Sequence, residues 1–471
     1  MNAGEINIKD LRSVYFIGIG GIGMSAIARY LHSLGIKVSG YDKTRTALCQ
    51  VLESEGMEIH YEDNLERIDK NADVVVYTPA IPKEHAELNY YVSNNYKVVK
   101  RSDILQAISA GSFNICVAGT HGKTTISTMI AHILRHSDYG CNAFLGGISS
   151  NYNTNFWSSE NNTTVIEADE YDRSFLKLEP DVAVISAMDA DHLDIYGDET
   201  SLENAFVEFS EKIRSNGLLL KKFGLNKLKD LSGRSTLTYS LQNEYADVFA
   251  KDIMMREGGY RFNISLGEVF IDGVEMNVGG MHNVENMVAA AAVASHLGIS
   301  PDAIREAIAA YKGVKRRFEY IIPPRTPEPG AYIQPVMIDD YAHHPEELKP
   351  LLKSARSLFP QRIITVVFQP HLFTRTRDFA SAFAESLSLA DRVILLPIYP
   401  AREKPIEGVD SNMLLNKISR NDKMVLSKED FLEWMNKHSK ELNKEFGEVI
   451  VMAGAGDIDT LVQPVKKIIE G

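Results

Sequence analysis

The sequence predicts an α/β protein built of three successive units, each with a mostly parallel sheet. Apolar runs typical of buried strands alternate with helical spacing along most of the 471 residues. Two of these strands run into glycine-rich turns, at Gly18–Gly23 and at Gly119–Thr125. A chain of this length exceeds what one hydrophobic core usually serves, so more than one domain is expected.

The first unit opens with strand Ser13–Ile17, which runs into the turn Gly18-Ile19-Gly20-Gly21-Ile22-Gly23. A helix through Ser25–Leu34 follows, and a second strand, Lys37–Gly40, ends near Asp42. This is a βαβ unit with its glycines in the first turn, which is typical of Rossmann-like domains that hold a diphosphate at a helix N-terminus. The glycine spacing alone does not say which diphosphate binds.

The second unit begins with a shortened phosphate loop. Strand Ile115–Ala118 is followed by Gly119-Thr120-His121-Gly122-Lys123-Thr124, and helical spacing continues through Arg135. Backbone N–H groups of such a turn face an anion, Lys123 can reach the outer phosphates, and the hydroxyl of Thr124 can bind Mg²⁺. Val117 stands where the common form of the motif has a glycine. A glycine turn with an incidental lysine is the alternative.

Acidic residues follow two further strands of this unit, at Glu167–Asp172 and at Asp189–Asp194. Ligands of open α/β sheets bind at the carboxyl ends of the strands, so a carboxylate there could hold Mg²⁺. His192, among aspartates in the second segment, is a candidate metal ligand. A solvated acidic loop and a packed histidine remain the alternatives.

The third unit alternates strands and helices again. Its first strand ends in Asp339-Asp340-Tyr341-Ala342-His343-His344-Pro345, and a later strand ends in Gln369–Arg377, which carries two arginines. Arginine suits carboxylate and phosphate recognition. A helix start with Pro345 as its first residue also accounts for part of the first segment, and both interpretations can hold.

Composition excludes several classes of function. The net charge of −13 does not favour sequence-independent nucleic-acid binding, which needs a basic field. The three cysteines are scattered, so no disulfide framework is expected. The sequence contains neither a signal segment nor a long apolar run, so a cytoplasmic protein without a membrane partner is expected.

In their order along the chain, these motifs resemble those of the Mur ligases. The resemblance covers essentially the whole chain and rests on Gly18–Gly23, Gly119–Thr125, Glu167–Asp172, Asp191–Asp194, His282–Asn286, Arg316–Phe318, Asp339–Pro345 and Gln369–Arg377. The phosphate loop is also shared by folylpolyglutamate synthetases. The resemblance implies a UDP-sugar domain at 1–108, an ATP-binding P-loop domain at 109–318, and an amino-acid-binding Rossmann-like domain at 319–471.

The resemblance also implies roles for individual positions. The sugar nucleotide would be bound by Gly18, Gly20, Gly21, Gly23, Asp42, Tyr341, His343 and Arg375, the last three also lining the amino-acid pocket. ATP would be bound by Gly119, Thr120, His121, Gly122, Lys123, Thr124, Thr125, Asn283, Asn286, Arg317 and Asp340. Mg²⁺ would be bound by Thr124, Glu167 and His192. Lys123, Glu167, His192, Arg317 and Asp340 would form the catalytic set.

The implied activity is an ATP-dependent ligation in peptidoglycan precursor synthesis. L-Alanine would be joined to the lactyl carboxylate of UDP-N-acetylmuramate through an acyl phosphate, by a monomer or weak homodimer. A sibling ligase that attaches a recycled tripeptide to the same sugar nucleotide is the nearer alternative. An oxidoreductase using the first glycine turn for NAD leaves the phosphate loop unexplained, and a non-catalytic nucleotide-binding module leaves Lys123 and Glu167 unexplained.

Overall fold

A computed structural model describes residues 6–189, 193–233, 235–325, 333–401, 403–439 and 447–471 of the chain. The strands are β1 Ser13–Ile17, β2 Lys37–Tyr41, β3 Glu58–His60, β4 Val74–Tyr77, β5 Val98–Lys100, β6 Phe113–Ala118, β7 Asn142–Ser149, β8 Thr154–Trp157, β9 Thr163–Glu167, β10 Val182–Ile185, β11 Leu218–Lys222, β12 Ser235–Ser240, β13 Val248–Arg256, β14 Gly259–Leu266, β15 Val269–Met276, β16 Glu319–Ile322, β17 Val336–Asp340, β18 Ile363–Phe368, β19 Arg392–Leu395, β20 Lys423–Val425 and β21 Glu448–Ala453.

The helices are α1 Ile22–Ser33, α2 Ala47–Ser54, α3 Ala86–Ser93, α4 Arg101–Ser109, α5 Lys123–His136, α6 Leu193–Tyr196, α7 Glu199–Glu211, α8 Met281–His296, α9 Pro301–Ala310, α10 Pro345–Leu358, α11 Phe373–Asp378, α12 Ala380–Leu387, α13 Ser411–Leu415, α14 Lys428–His438 and α15 Asp459–Glu470. Short 3₁₀ turns lie at Ile8–Asp10 and Tyr171–Lys177. In the described part of the chain, no helix combines the length and apolarity needed to cross a membrane.

The first sheet has five parallel strands in the order β3-β2-β1-β4-β5. The strand order reverses between β1 and β4, and this is the point where open α/β sheets bind ligands. Gly18 follows β1 and Thr78 follows β4, so both line that crevice. The Rossmann-like expectation for the first unit is confirmed.

The central sheet has ten strands in the order β15-β14-β13-β12-β11-β10-β6-β9-β7-β8. Its core from β12 to β9 is parallel, and the strands at both ends pair antiparallel. Strands β13 to β15 continue this sheet rather than forming a separate one, because β13 pairs in parallel with β12. Strands β7, β8 and β12 were not predicted.

The third sheet has the order β16-β17-β21-β18-β19-β20 and is parallel except for β16 at its edge. The stretch after β18 forms two helices rather than one, because α11 ends at Asp378 and α12 begins at Ala380. The intervening Phe379 has ψ near 16° rather than a helical value, which separates the two helices. Pro345 is the first residue of α10, as the helix-start interpretation expected.

The core joins the three sheets. Ile115 and Val117 of β6 pack on the face that carries α5 and α8, in one apolar cluster with the helices and strands of the third sheet. Cys116 and Ala118 point to the opposite face and share a cluster with the first sheet. The predicted boundaries at 108/109 and 318/319 fall between the sheets and stay predictions of where the domains separate.

Candidate active site

The phosphate loop connects β6 to α5 in a conformation that needs its glycines. Gly119 has φ of +136°, and a Cβ there would lie 2.3 Å from the Oγ of Ser186. Gly122 has φ of +81° and is the N-cap of α5, where no side chain caps the helix. The first N–H groups of α5 are therefore left for an anion, because the four N-terminal amides of a helix have no intrahelical partner.

Lys123 is held beside this loop by a buried carboxylate. Its ammonium donates to the backbone oxygen of Gly119 and to Oε1 of Glu170, both at 2.8 Å. Oε2 of Glu170 also lies 2.8 Å from Nζ, and the Glu170 side chain has no exposed surface. Burial raises the pKa of Glu170, while the charge of Lys123 opposes the shift. The sequence analysis did not single out Glu170 from the acidic run.

Thr124 and Glu167 form a pair of oxygen donors at the start of α5. The hydroxyl of Thr124 donates to Oε1 of Glu167 at 3.0 Å, and the backbone N–H of Gly146 donates to Oε2 at 2.9 Å. Burial raises the pKa of Glu167, against the lowering effect of Thr124, Lys123 and Arg317. A hydroxyl beside a buried carboxylate suits a hard divalent cation. His192, the third predicted metal ligand, lies outside the described residues.

The other residues of the loop contact the end of β10. The backbone N–H of Thr120 donates to the oxygen of Ala187 at 3.1 Å, and its Oγ1 accepts from the backbone N–H of Asp189 at 3.1 Å. His121 is largely exposed, with Nε2 3.8 Å from Oδ2 of Asp189. The structure therefore uses Thr120 to fix the loop and leaves the ring of His121 at the surface.

A cavity of about 270 Å³ lies between the phosphate loop, α8 and the third sheet. Predicted nucleotide-binding residues that line it are Gly122, Thr125, Asn283, Asn286, Arg317 and Asp340. Asn283 donates to the oxygen of Gly279 at 2.6 Å, and Asn286 donates to Oδ1 of Asn283 at 3.4 Å. These two contacts fix both amides on the wall of the cavity.

Arg317 reaches the phosphate loop from the junction of the central and third sheets. Its Nη2 lies 3.4 Å from Oγ1 of Thr124, within weak hydrogen-bond range. Arg316 and Phe318 on either side have φ of +59° and +49°, an uncommon conformation for residues with side chains. This turn is what directs Arg317 toward the loop.

Asp340 holds that turn in place. Its Oδ2 accepts from the backbone N–H of Phe318 at 2.7 Å, and its Oδ1 accepts from Ala342 at 2.8 Å. Burial raises its pKa to about 6, although the two amides and Arg317 act in the opposite direction. Both of its oxygens are thus engaged with backbone, so Asp340 positions Arg317 in this conformation.

A second polar cluster lies at the ends of β17 and β18. The ring of His343 lies 5.2 Å from the ring of Tyr341 and 6.0 Å from that of His371, which stacks on Tyr399. Burial, then the charge of Arg375, lowers the pKa of His371 and keeps it neutral near pH 7. His371 lies inside the Gln369–Arg377 motif but was not predicted as a site residue.

Two buried nitrogen atoms of this cluster have no hydrogen-bond partner within the described part of the chain. They are Nδ1 of His371 and Nη1 of Arg375. A buried donor without a partner is costly, so such a pair indicates a ligand that accepts hydrogen bonds. An anionic group such as a carboxylate fits these donors.

The glycine turn of the first sheet is shaped by its own neighbours. Gly18 has φ of +89°, and the backbone N–H of Gly20 donates to Oδ2 of Asp42 at 2.8 Å. A Cβ at Gly20 would lie 2.4 Å from the Sγ of Cys49. Gly21 is the N-cap of α1 and provides no side-chain cap. Asp42 therefore has a hydrogen-bonding role within the turn, besides its predicted role toward substrate.

Two neighbouring cavities link this turn to the phosphate loop. The larger, of about 460 Å³, is lined by Gly21, Gly23 and the residues after β4. The smaller, of about 120 Å³, extends to Gly146 and Glu167. Gly23, Arg101 and Asp169 line both. The two cavities thus run from the glycine turn of the first sheet to Glu167, the carboxylate that Thr124 of the phosphate loop contacts.

Three family models match successive parts of the chain. They are the Mur ligase family catalytic domain at residues 13–112, the Mur ligase middle domain at 117–294, and the Mur ligase glutamate ligase domain at 328–456. Two curated relatives are named UDP-N-acetylmuramate–L-alanine ligase. The protein of Porphyromonas gingivalis is 45% identical over 98% of this chain and 99% of its own length, and that of Cytophaga hutchinsonii is 44% identical over 99% and 98%.

Solved structures agree with these matches. UDP-N-acetylmuramate–alanine ligase from Thermotoga maritima superposes with a TM-score of 0.78 at 26% identity, covering 97% of this chain and 98% of that one. A murein peptide ligase from Psychrobacter arcticus superposes with a TM-score of 0.64 at 22% identity over 97% and 98%, which shows the shared fold alone. The expectation of three α/β units with mostly parallel sheets is confirmed.

Proposed function

The chain belongs to the Mur ligase family, and from that premise we propose that it joins L-alanine to the lactyl carboxylate of UDP-N-acetylmuramate, using ATP. Relatives of that name match it over nearly the full length of both chains. The product is a precursor of peptidoglycan. The proposal includes a cytoplasmic location and a monomer or weak homodimer as the acting form.

The observation that carries this proposal is the cleft that runs from the glycine turn after β1 to Glu167, which Thr124 of the phosphate loop contacts. The turn after β1 is built for a diphosphate at the start of α1, and the loop after β6 is built for a nucleoside triphosphate at the start of α5. The cavities between them are lined by Arg101, Asp169 and Glu167. A sugar nucleotide on the first loop can therefore present its carboxylate to a phosphoryl group on the second.

The residues present fit ATP and Mg²⁺. Gly119 leaves a cradle that a Cβ would fill, and Lys123 has its ammonium at the loop, 2.8 Å from Oε2 of Glu170. Thr124 and Glu167 supply hard oxygen ligands, so they would hold Mg²⁺, which would neutralise negative charge on the transferring phosphoryl group. His192 is proposed as a further ligand from the family motif.

The reaction requires two bond exchanges. A carboxylate oxygen of UDP-N-acetylmuramate attacks the γ-phosphorus of ATP, the bond to the β-phosphate oxygen breaks, and ADP leaves. The neutral amine of L-alanine then attacks the carbonyl carbon of the acyl phosphate, inorganic phosphate leaves with the C–O electron pair, and the proton that the nitrogen loses goes to the departing phosphate. Lys123 and Arg317 supply positive charge at the loop, while the cleft holds the reacting groups in place.

The amino acid would bind at the cluster after β17 and β18. The unpartnered nitrogen atoms of His371 and Arg375 suit its carboxylate, and neutral His371 adds no charge repulsion to the incoming ammonium. Tyr341 belongs to this cluster and also lines the cavity that holds Arg317, so the two sites adjoin there. Because the substrates would bind at three different sheets, the units that carry these sheets must close to bring the reacting groups together.

The sibling ligase for recycled tripeptide is the alternative to separate. The curated relatives named above support the alanine ligase, whereas the murein peptide ligase matches at a level that shows only the fold. Nicotinamide chemistry would leave Lys123, Thr124 and Glu167 without a role. The tripeptide ligase and the alanine ligase differ in the acceptor amine, so the acceptor decides between them.

The test is release of inorganic phosphate from ATP, with UDP-N-acetylmuramate present and acceptors added in turn. We expect rapid release with L-alanine and slower release with glycine or L-serine, since one methyl group is worth only about 1–3 kcal/mol of discrimination. The L-alanyl product should be visible by mass spectrometry. Release with the tripeptide but not with L-alanine would overturn the proposal in favour of the recycling ligase.

A further inference from the structure

Arg101 occupies the joint between the two cavities of the cleft. It is the first residue of α4, and it lines both the larger cavity at the glycine turn and the smaller cavity at Glu167. A Cβ at Gly23 would lie 2.2 Å from Nη1 of Arg101. The guanidinium therefore lies directly against the first turn of α1, where that helix presents its free N–H groups.

The larger cavity carries more positive than negative charge. Lys100 and Arg101 line it together with one carboxylate, Asp169, among the described residues. The α1 N-terminus adds partial positive charge, because the helix has neither a side-chain cap nor an acidic residue in its first turn. An anion placed there would be attracted by three separate features of the chain.

Asp169 is the partner of Arg101 in this conformation. Its Oδ2 lies 3.4 Å from Nη2, and both side chains are about one-third exposed. A pair this long and this open contributes little, so a phosphate could displace Asp169 at small cost. The other oxygen of Asp169 accepts from the backbone N–H of Tyr171 at 3.1 Å, which holds the carboxylate in place when Arg101 turns away.

We propose that Arg101 binds the diphosphate of the sugar nucleotide, exchanging Asp169 for a phosphate oxygen at the start of α1. The proposal rests on the proposed function for the identity of the ligand, and adds a positioning residue that the sequence motifs do not include. Arginine in particular suits this role, because its planar fork can bind two phosphate oxygens at once. The bound guanidinium fixes the diphosphate at the end of the cleft that leads to Glu167.

The experiment measures the affinity of the full chain for UDP and for UDP-N-acetylmuramate by titration calorimetry. Arg101→Met should weaken both by roughly 10- to 100-fold, the range for loss of charge-assisted hydrogen bonds. Arg101→Lys should recover part of this loss. Asp169→Asn, which keeps the acceptor for Tyr171, should tighten binding about two- to fivefold, because the competing charge is gone. Arg256→Met removes an arginine paired with Glu275 far from the cleft and is the matched control.

Equal losses for UDP and UDP-N-acetylmuramate in Arg101→Met, with an unchanged melting temperature, would support the assignment. A loss confined to UDP-N-acetylmuramate would place Arg101 on the lactyl carboxylate and overturn the diphosphate assignment. An unchanged affinity for both would also overturn it. UDP binding needs no acceptor amine, so the titration tests the role of Arg101 independently of the ligase activity. The ligase proposal is tested separately, by turnover of the wild type with L-alanine.

Discussion

Replacement of Lys123 by methionine should separate a catalytic loss from a loss of stability. Methionine keeps most of the side-chain stem but removes the ammonium that faces the phosphate loop. Removal of one donor to developing charge typically costs about 100- to 1,000-fold in turnover. We expect phosphate release in the presence of both substrates to fall by at least about 100-fold.

The same change leaves Glu170 buried without its cation. The Glu170 side chain has no exposed surface, and both of its oxygens lie 2.8 Å from the missing ammonium. Breaking a buried pair from one side costs on the order of 3 kcal/mol. The pKa of Glu170, already raised by burial, should rise further because Lys123 no longer lowers it. The folded variant then binds a proton that the unfolded chain releases. The loss in free energy of unfolding of Lys123→Met, relative to the wild type, should therefore shrink as the pH falls toward about 4.5.

A second substitution tests this reasoning. Glu170→Gln in the Lys123→Met background removes the buried charge, so the free energy of unfolding in urea at pH 8 should recover while turnover stays low. The single variant Glu170→Gln controls for the amide itself. Recovery of turnover in the double variant, or more than about a tenth of wild-type turnover in Lys123→Met, would refute the role given to this lysine.

Three further changes follow from the site. Glu167→Gln should raise the Mg²⁺ concentration needed for half-maximal phosphate release about 10-fold or more, measured by Mg²⁺ titration, because the buried carboxylate loses its charge; an unchanged requirement would remove Glu167 from the metal site. Asp340→Asn should lower the free energy of unfolding in urea by about 1–3 kcal/mol, because an NH2 donor replaces one of the two oxygens that accept from Phe318 and Ala342. Burial raises the pKa of Asp340 to about 6, above the unfolded value of about 3.9, so the stability that this group gives the wild type declines as the pH rises from 4 to 6. The difference in free energy of unfolding between the wild type and Asp340→Asn should therefore narrow over that range. A difference that widens would contradict the assignment. Gly119→Ala should abolish ATP binding, because its Cβ would lie 2.3 Å from Ser186, whereas Gly111→Ala, with nothing within 4 Å, should bind ATP normally in the same calorimetric titration.

Local sequence patterns were sufficient for the strands and loops around the site. The order of strand, glycine turn and helix predicted both loops, because a turn that requires positive φ strongly favours glycine. The polar residues after β9, β17 and β18 could be placed at sheet ends for a different reason, which is that parallel strands present their carboxyl ends at one edge. Strands β7, β8 and β12 of the central sheet carried no comparable signal.

Contacts between distant segments were decided only by the tertiary structure. Arg101 and Asp169 are 68 positions apart, and Arg317 and Thr124 are 193 apart. Whether Glu170 or Asp169 faces Lys123 depends on how the chain turns after β9, and a run of acidic residues does not encode that choice. A local motif fixes a backbone conformation, but the partner of a side chain depends on which surfaces the packed sheets bring together. That is why the phosphate loop was predictable from the sequence, while Glu170, which holds its lysine, and Arg101, which lines both cavities of the cleft, were not.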